Sequence, residues 1–484
     1  MHVRTAEEEK ELEQLDRTKE EWTSQLRDRM NKQKTDNDPN NASSLREKTP
    51  SLAIYELYEA IPEKALVIYT ALSDDGLALF AVDRTGIRHS EIIPVAGTVQ
   101  IRVLVCAYIA EVIAGKGNPD SAVTQDSDLS LQAISGILSS ILLKPVEEYI
   151  DANDHVIFVP SGDLMRFPLG ALLFKKAYLI MQKQVSQVPS LSTLHALRRT
   201  RQEQTSARRQ KFSVMSKPGN TMKSSKTSER ALPMANIEAK MIASLTGTTA
   251  LNVDNVTRAE FQGHMRGSDI LHICTHGYSD AEYPLRSYIS LKERFRTIDM
   301  LTVRTEVALV VFSSCLSGTG QASNSGDLQG FSHAVLAAGA NAYLGALWNA
   351  SDVATMIHMY FFYLFLLVAL EKPSLSEAWQ IATKLLYELT PERAVELLRQ
   401  FMDKSCNITN KFVRRDRKKL EDVIRTLETE GGRNMLNFKH PYIWAPFVIV
   451  GNGSLLIGGS SCRNQFLELS GKDELSVRTK QTSK

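Results

Sequence analysis

The chain has 484 residues, of which 43% are hydrophobic, 23% charged and 7% aromatic, close to the composition of globular proteins. This composition excludes a wholly disordered, collagen-like or low-complexity chain, and the length suits about three domains or one large α/β domain with insertions. Lysine and arginine total 57 against 55 acidic residues, so the net charge of +2 does not point to a nucleic acid or an acidic membrane as the partner.

Residues 1–50 are predicted to form a helical extension and a linker. Residues 6–33 are rich in helix formers and carry a thin apolar stripe, whereas 34–51 are rich in Asn, Asp, Ser and Pro. The segment from Met1 to Lys10 is polar and acidic and does not resemble a secretory signal peptide, which favours a cytoplasmic location.

Residues 51–230 are predicted to form a first α/β half. An Asp-Gly turn and helical periodicity are the main signals. They predict a two-stranded hairpin, two helices and a short buried strand, at 65–82, 99–112, 129–149 and 155–160.

Basic residues are concentrated between Arg198 and Arg230, where a strand is predicted only at 212–215. Such a stretch could contact nucleic acid, but aromatic residues are almost absent from it. We therefore favour a solvated loop and expect no nucleic-acid partner. The basic character of the loop would also suit self-cleavage by a peptidase that prefers Arg or Lys.

Residues 231–455 are predicted to form a second half in which strands and helices alternate, and the polar tail at 456–484 is expected to fray. Helices are predicted at 237–245, 258–266 and 331–338, and strands at 250–253, 270–274, 307–312, 342–347 and 442–450. The charged stretch 390–437 is predicted to be a two-helix insertion. The alternation predicts a mostly parallel sheet covered by helices on both faces.

The stretch from Val353 to Leu370 is apolar enough to be compared with a membrane helix. It contains no Asp, Glu, Lys or Arg, but it is shorter than the ~20 apolar residues that a spanning helix needs. A helix buried in a large core explains the same pattern, and we favour that interpretation over membrane insertion.

The five cysteines are few and widely spaced, without a C-x-x-C motif, so neither a disulfide framework nor a zinc site is indicated. Two of the predicted buried strands end in reactive residues. His276 and Gly277 follow the strand at 270–274, and Cys315 follows the strand at 307–312. Because catalytic residues gather beyond the carboxyl ends of parallel strands, His276 and Cys315 are expected on one edge of the sheet.

A thiol beside an imidazole can act as a nucleophile, because histidine accepts the thiol proton and later donates it to the leaving group. The backbone N–H groups of Gly277 and Cys315 could form an oxyanion hole. Each signal alone is weak, since a cysteine after an apolar strand is more often a buried hydrophobe. We interpret His272 and Cys274, which lie within a strand, as packing residues.

Several short blocks carry a family resemblance. They are Val159–Pro168, Leu232–Lys240, Thr275–Gly277, Ser313–Gly318, Gly330–Trp348 and His440–Gly451. In sequence and order they resemble blocks of CHAT domains, which are caspase-like cysteine peptidases of clan CD related to separase and the gingipains. The resemblance covers most of the chain, from residue 51 to residue 455.

The resemblance implies a caspase-like α/β fold: a mostly parallel sheet flanked by helices, with an N-terminal pseudo-peptidase half and a C-terminal active half. It implies that His276 and Cys315 form the catalytic dyad, with Gly277 and Cys315 in the oxyanion hole. The chain would then be a regulated cytosolic cysteine endopeptidase that cleaves protein substrates through a thioester, in signalling, host defence or cell death. No metal ion or other cofactor is expected.

Two departures from the family pattern leave an alternative open. Leu316–Gly318 stands where family members often carry an acidic residue followed by Thr and Gly, and no tetratricopeptide repeats are visible. The alternative is a non-catalytic CHAT-fold signalling or scaffold module. In either case an upstream sensor or regulatory protein could be a partner.

A substrate pocket for basic residues would need an acid, because related peptidases prefer a basic residue before the cut. Asp327, which lies 12 residues after Cys315, and Asp352 are the candidates. Both also precede predicted helices, so each could instead serve as a helix cap.

Overall fold

The structure is a computed structural model that describes residues 54–94, 97–115, 125–202, 211–217, 232, 234–278, 280, 284–313, 327–368, 372–404, 414–429 and 436–457. The predicted extension at 1–50 and nearly all of the tail at 456–484 lie outside these residues.

Helices and strands alternate along most of the described chain. The helices are α1 (Ile54–Glu59), α2 (Thr98–Ala114), α3 (Gln125–Leu142), α4 (Glu147–Asp151), α5 (Leu191–Gln202), α6 (Ala235–Thr246), α7 (Arg258–Gly267), α8 (Thr297–Leu301), α9 (Asp327–Ala338), α10 (Asp352–Val368), α11 (Leu375–Glu388), α12 (Pro391–Lys404), α13 (Arg414–Glu428) and α14 (Pro441–Trp444). The strands are β1 (Ala65–Leu72), β2 (Leu77–Asp83), β3 (Gly86–Ile93), β4 (His155–Val159), β5 (Leu173–Phe174), β6 (Ala177–Tyr178), β7 (Gln184–Gln187), β8 (Phe212–Ser216), β9 (Ala250–Asn252), β10 (Ile270–Cys274), β11 (Gly277–Tyr278), β12 (Tyr288–Ser290), β13 (Arg294–Arg296), β14 (Leu309–Phe312), β15 (Ala342–Ala346) and β16 (Phe447–Gly451).

Among the described residues, eleven strands form one sheet in the order β3-β2-β1-β4-β7-β16-β15-β14-β10-β8-β9. Seven of its ten strand pairings are parallel, and the antiparallel ones are β1–β2, β2–β3 and β15–β16. Every residue of β4, β10, β14, β15 and β16 is buried. Because successive side chains point to opposite faces, full burial requires cover on both faces. The predicted mostly parallel sheet flanked by helices is therefore confirmed.

The sheet has two parts that meet between β7 and β16, where Gln187 is paired with Val450. The buried side chain of Asn341 reinforces this junction. Its amide donates to the carbonyl of Leu197 at 2.6 Å and its oxygen accepts from the Asn452 amide at 3.0 Å. The bond to Leu197 thus connects the two parts of the sheet, and the bond from Asn452 holds the Asn341 amide in place.

The basic stretch 198–230 differs in part from the predicted loop. Residues 198–202 complete α5, and β8 lies between β9 and β10 with Val214 and Met215 buried. The loop prediction is wrong for 198–202, which are helical, whereas the strand predicted at 212–215 is present as β8, where apolar side chains are removed from solvent. Residues 203–210 and 218–231 lie outside the described part of the chain.

The predicted terminal strand Tyr442–Val450 is also corrected. Residues 441–444 form the short helix α14, and only Phe447–Gly451 is extended. Pro441 occupies the first turn of α14, where its missing N–H costs nothing. The side chain of His440 accepts the Tyr442 N–H at 3.1 Å and so caps the helix. The helix pair α12 and α13 agrees with the two helices predicted for 390–437.

The apolar run Val353–Leu370 corresponds to α10, which packs against α6 and α11 and carries buried side chains such as Met356 and Phe362. Within the described residues, no single helix has the length and apolar character needed to cross a membrane. One bent pair, Leu129–Leu142 with Lys144–Asp151, meets that test by length and composition only.

Candidate active site

Strands β10 and β14 bring the candidate residues to one edge of the sheet. The two strands are parallel neighbours, and their pairing sets Ile273 beside Phe312. The Ser313 N–H extends this ladder by donating to the Ile273 carbonyl at 3.0 Å. The pairing offset, 312 minus 273, is 39 residues, which is also the separation of His276 and Cys315.

His276 lies directly beyond β10 and is 8% exposed. The main chain on both sides of it is held by β12. The Thr275 hydroxyl donates to the Ser290 carbonyl at 2.6 Å, and the Ser290 N–H donates to the His276 carbonyl at 2.8 Å. Lys217 fixes the same region, since its N–H donates to the Cys274 carbonyl and its ammonium group donates to the Ser290 hydroxyl, both at 2.9 Å.

Gly277 begins β11 and is paired with Ile289 of β12. The bond from Ser290 N–H to the His276 carbonyl makes Gly277 and Ile289 a non-hydrogen-bonded pair of this antiparallel ladder. The ladder therefore does not use the Gly277 N–H, which points away from β12. This is the group that the sequence assigned to the oxyanion hole.

Cys315 lies within 314–326, outside the described residues, and so does its backbone N–H. Asp327 is the first residue of α9, and its side chain is not among those described. Asp352 is the first residue of α10, and its carboxylate accepts the Met234 N–H at 3.1 Å. The assignments of His276, Gly277, Cys315, Asp327 and Asp352 remain predictions.

A buried polar cluster lies directly beneath this edge. We call it the Glu238 cluster, and its members are Glu238, His272, Cys274, Ser313 and Tyr363. His272 Nε2 lies 3.1 Å from Glu238 Oε1 and 3.0 Å from Cys274 Sγ, while His272 Nδ1 lies 3.2 Å from the Tyr363 hydroxyl. The Ser313 hydroxyl donates to the same Glu238 oxygen.

The protonation of His272 follows from its partners. The Glu238 carboxylate can only accept, so Nε2 carries a proton. Burial raises the pKa of Tyr363 well above its ordinary value, and the nearby Cys274 and Glu238 act in the same direction. The phenol therefore keeps its proton and can donate a hydrogen bond to Nδ1, so each ring nitrogen of His272 has a partner.

Cys274 and His272 form a second thiol–imidazole pair, but this pair is not suited to nucleophilic catalysis. Cys274 is 1% exposed. Burial raises the pKa of its thiol well above the ordinary value, and the Glu238 charge adds to that rise. A buried neutral thiol is inert, whereas reactive cysteines are partly exposed and close to positive charge.

Glu238, His272 and Cys274 are also residue types that bind metal ions, and their ligand atoms lie within 4.8 Å of one another. Tetrahedral zinc, with bonds of ~2.0–2.3 Å, would hold two ligand atoms about 3.5 Å apart. The observed contacts of 3.0 and 3.1 Å are instead hydrogen-bond distances. The geometry is that of a hydrogen-bonded network.

The role of Glu238 was not predicted from the sequence, and His272 and Cys274 were predicted only to pack in the core. A signal was present, because Glu238 lies in the same helical turn as the apolar residues Ile237 and Met241. A carboxylate on the buried face of a helix needs a partner in the interior. Only the tertiary structure identifies that partner.

The chain is similar in sequence to one protein family and in structure to several known proteins. A family profile described as the CHAT domain matches residues 132–452, about two thirds of the chain. No curated protein matches the chain by sequence.

Two kinds of solved structure are similar to the chain. The separase–securin complex of Saccharomyces cerevisiae matches with a TM-score of 0.46 and 11% identity over 82% of this chain and 31% of the separase chain. The Arg-specific cysteine proteinase gingipain R matches with a TM-score of 0.34 and 11% identity, over 70% of this chain and 69% of that one. The RgpB pro- and mature-domain complex of Porphyromonas gingivalis gives a TM-score of 0.35 and 13% identity, over 74% and 77% of the two chains.

Proposed function

Because the chain belongs to the CHAT domain family, we propose that it is a cysteine endopeptidase whose catalytic dyad is His276 and Cys315. One observation carries the proposal. The 39-residue offset between the parallel strands β10 and β14 equals the separation of the two residues, so each lies three positions beyond a paired position of its strand. Parallel neighbours that end at one edge favour contact between the residues that follow them.

The proposed reaction proceeds in two stages. His276 accepts the proton of the Cys315 thiol, and the thiolate attacks the carbonyl carbon of the scissile peptide bond. The imidazolium then donates its proton to the leaving amine as the C–N bond breaks and the thioester remains. Water, deprotonated by His276, hydrolyses the thioester and frees the thiol.

The backbone supports the stabilisation of the intermediate. Negative charge develops on the carbonyl oxygen and needs fixed hydrogen-bond donors. The Gly277 N–H is suited to this role because the β11–β12 ladder leaves it unused, and the N–H of Cys315 is proposed as the second donor. The bonds from β12 to the residues flanking His276 favour a fixed position for the base.

The proposal is tested by replacing Cys315 with Ala in the full chain and comparing the cleavage of a peptide library by mass spectrometry, with and without candidate activator proteins. We expect cleavage by the wild type and none above background by Cys315→Ala or His276→Ala. Cys106→Ala is the matched control, because Cys106 is a free thiol on α2, outside the candidate site, and should cleave like the wild type.

Equal cleavage patterns for the wild type and Cys315→Ala under all conditions would reject the endopeptidase and favour the binding-module alternative. The same spectra would reveal any cut within 198–230, which would identify the basic stretch as a processing site.

A further inference from the structure

The Glu238 carboxylate occupies an environment that is unfavourable for a charge. Glu238 is 3% exposed on α6, between the buried side chains of Ile237 and Ala239. A buried carboxylate is costly unless hydrogen bonds compensate for the lost water. Among the described residues, the Cys274 thiol is also close to Glu238, and no lysine or arginine is paired with this carboxylate. Its Oε1 oxygen has two hydrogen-bond partners, the Ser313 hydroxyl and the His272 imidazole.

These two partners come from different strands. His272 lies in β10, four residues before His276, and Ser313 follows β14, two residues before Cys315. One carboxylate oxygen, Oε1, accepts from both. Glu238 therefore links the middle of β10 to the residue that directly follows β14, the two strands from which the candidate base and nucleophile extend.

We propose that Glu238 is a positioning residue that sets the separation between the His276 imidazole and the Cys315 thiol. The inference rests on the proposed function. Tyr363 supports this arrangement, because its hydroxyl contacts the other ring nitrogen of His272, Nδ1, and so keeps Nε2 directed at Glu238. A displacement of ~1 Å between reacting groups is enough to lower a rate by orders of magnitude, so a link between the two strands can act on the chemistry without touching the substrate.

If Glu238 had only a structural role, it would stabilise the fold without altering the reactivity of Cys315. The two roles differ in the pH dependence of thiol alkylation, since a thiol paired with an imidazole reacts as a thiolate below its ordinary pKa of ~8.5. Iodoacetamide is a suitable probe because it needs no known substrate, and peptide mapping separates Cys315 from the other four cysteines.

The experiment compares the wild type with Glu238→Gln. Glutamine keeps the shape of the side chain and an acceptor oxygen in the place of Oε1, but it loses the negative charge that strengthens the hydrogen bonds from Ser313 and His272. We expect the alkylation rate of Cys315 at pH 7 to fall about tenfold and the midpoint of its pH profile to rise by about one unit. Any cleavable peptide should show a lower kcat at nearly constant KM.

Asp416→Asn is the matched control. Asp416 is also a buried carboxylate tied to α6, through the Lys240 ammonium at 2.7 Å and the Asn236 amide at 3.0 Å, but it reaches neither strand end. It should lower stability without changing the pH profile of Cys315. Asp352 and Lys217, the other charged groups described near this edge, are unchanged in every variant.

Ser313 provides a second, milder variant, which carries the test if Glu238→Gln does not fold. Ser313→Ala removes one of the two donors and should slow alkylation in the same direction, while Ser313→Thr restores the hydroxyl and should recover the rate. The double variant Glu238→Gln/Ser313→Ala should be no slower than the slower single variant, because both changes remove one shared contact.

The alkylation results distinguish failure of the positioning role of Glu238 from failure of the proposed catalytic dyad. An unchanged profile in folded Glu238→Gln or Ser313→Ala, beside a shifted profile in His276→Ala, would overturn the inference alone. An equal shift in Asp416→Asn would also overturn it. If Cys315 reacts as an ordinary thiol even in the wild type, and His276→Ala makes no difference, the proposed function fails and the positioning role fails with it.

Discussion

At the scale of single residues, Asp352 combines a structural hydrogen bond to a distant segment of the chain with a predicted part in substrate recognition. Its carboxylate accepts the Met234 N–H, and the residue begins α10 beyond the end of β15, next to β14 in the sheet. Its charge also contributes to the raised pKa of Cys274, after burial and Glu238, so its field reaches the end of β10. The position suits both a helix start and the acid of a pocket for basic side chains.

We predict that Asp352→Asn lowers the preference for Arg over Gln before the cleaved bond at least about tenfold, because an amide cannot form a charge-assisted bond with a guanidinium group. The asparagine oxygen can still accept the Met234 N–H, so the fold should be retained. The measurement is kcat/KM for paired peptides that differ only at that position.

Asp327→Asn is the comparison variant, since Asp327 is the other candidate. A loss of Arg preference confined to Asp327→Asn would transfer the pocket role to that residue. An unchanged preference in both variants would reject the acidic pocket that the sequence predicts.

At the scale of elements, the tight turn between α9 and β15 brings the chain back into the sheet, where β15 pairs with β14. Gly339 lies in this turn with φ of +114°, and the adjacent segments are joined by the bond from Thr305 N–H to the Ala338 carbonyl at 2.8 Å. A Cβ at Gly339 would collide with the carbonyl oxygen of Thr305. Both the backbone angle and the close approach therefore require glycine.

We predict that Gly339→Ala lowers the free energy of unfolding by about 3 kcal/mol, through strain at positive φ and the collision with Thr305. Urea denaturation followed by circular dichroism measures the change. Gly267→Ala is the control: Gly267 ends α7 with open space around its Cβ position, and alanine there should leave stability unchanged or raise it by up to about 1 kcal/mol. Equal stabilities of the two variants would contradict this account.

At the scale of the whole molecule, burial keeps two histidines neutral, one in the strand β4 and one on the helix α10. His155 in β4 lies between the hydroxyls of Ser186 at 2.8 Å and Ser454 at 3.3 Å, and His358 on α10 contacts the Thr383 hydroxyl at 3.1 Å. Burial lowers the pKa of both to about 3, and the charge of Arg198 assists at His155. In the unfolded chain both would titrate near 6.5.

We predict that the protein loses stability as the pH falls below 6.5. Below pH 6.5 the two histidines are protonated in the unfolded state, whereas in the folded state they stay neutral down to about pH 3. Each histidine therefore lowers the free energy of unfolding by about 2 kcal/mol at pH 5 relative to pH 8. Urea denaturation at pH 8 and pH 5 measures the difference. It should shrink by about that amount in His155→Gln and in His358→Gln, and a difference as large as in the wild type would contradict the assignment.

Periodicity and turn residues were sufficient for much of the fold. The Asp-Gly turn predicted the β1–β2 hairpin, and continuous apolar runs predicted β4, β10 and β14, because burial on both faces leaves no alternation. Two strands with many polar residues, β3 and β7, were not predicted. β3 forms a hairpin with β2 and is mostly exposed, so its sequence lacks the apolar signal, whereas β7 lies between β4 and β16, and β16 is far away in the chain.

Sequence alone also selected His276, Gly277 and Cys315, because reactive residues directly after buried strands are visible as local motifs. It could not assign a role to Glu238. The apolar neighbours of Glu238 in α6 indicate burial, but only the packing shows that its carboxylate contacts His272 in β10 and Ser313 after β14. The order of the strands and the register of β10 against β14 likewise exist only in the folded sheet, where hydrogen bonds between distant segments determine which residues meet.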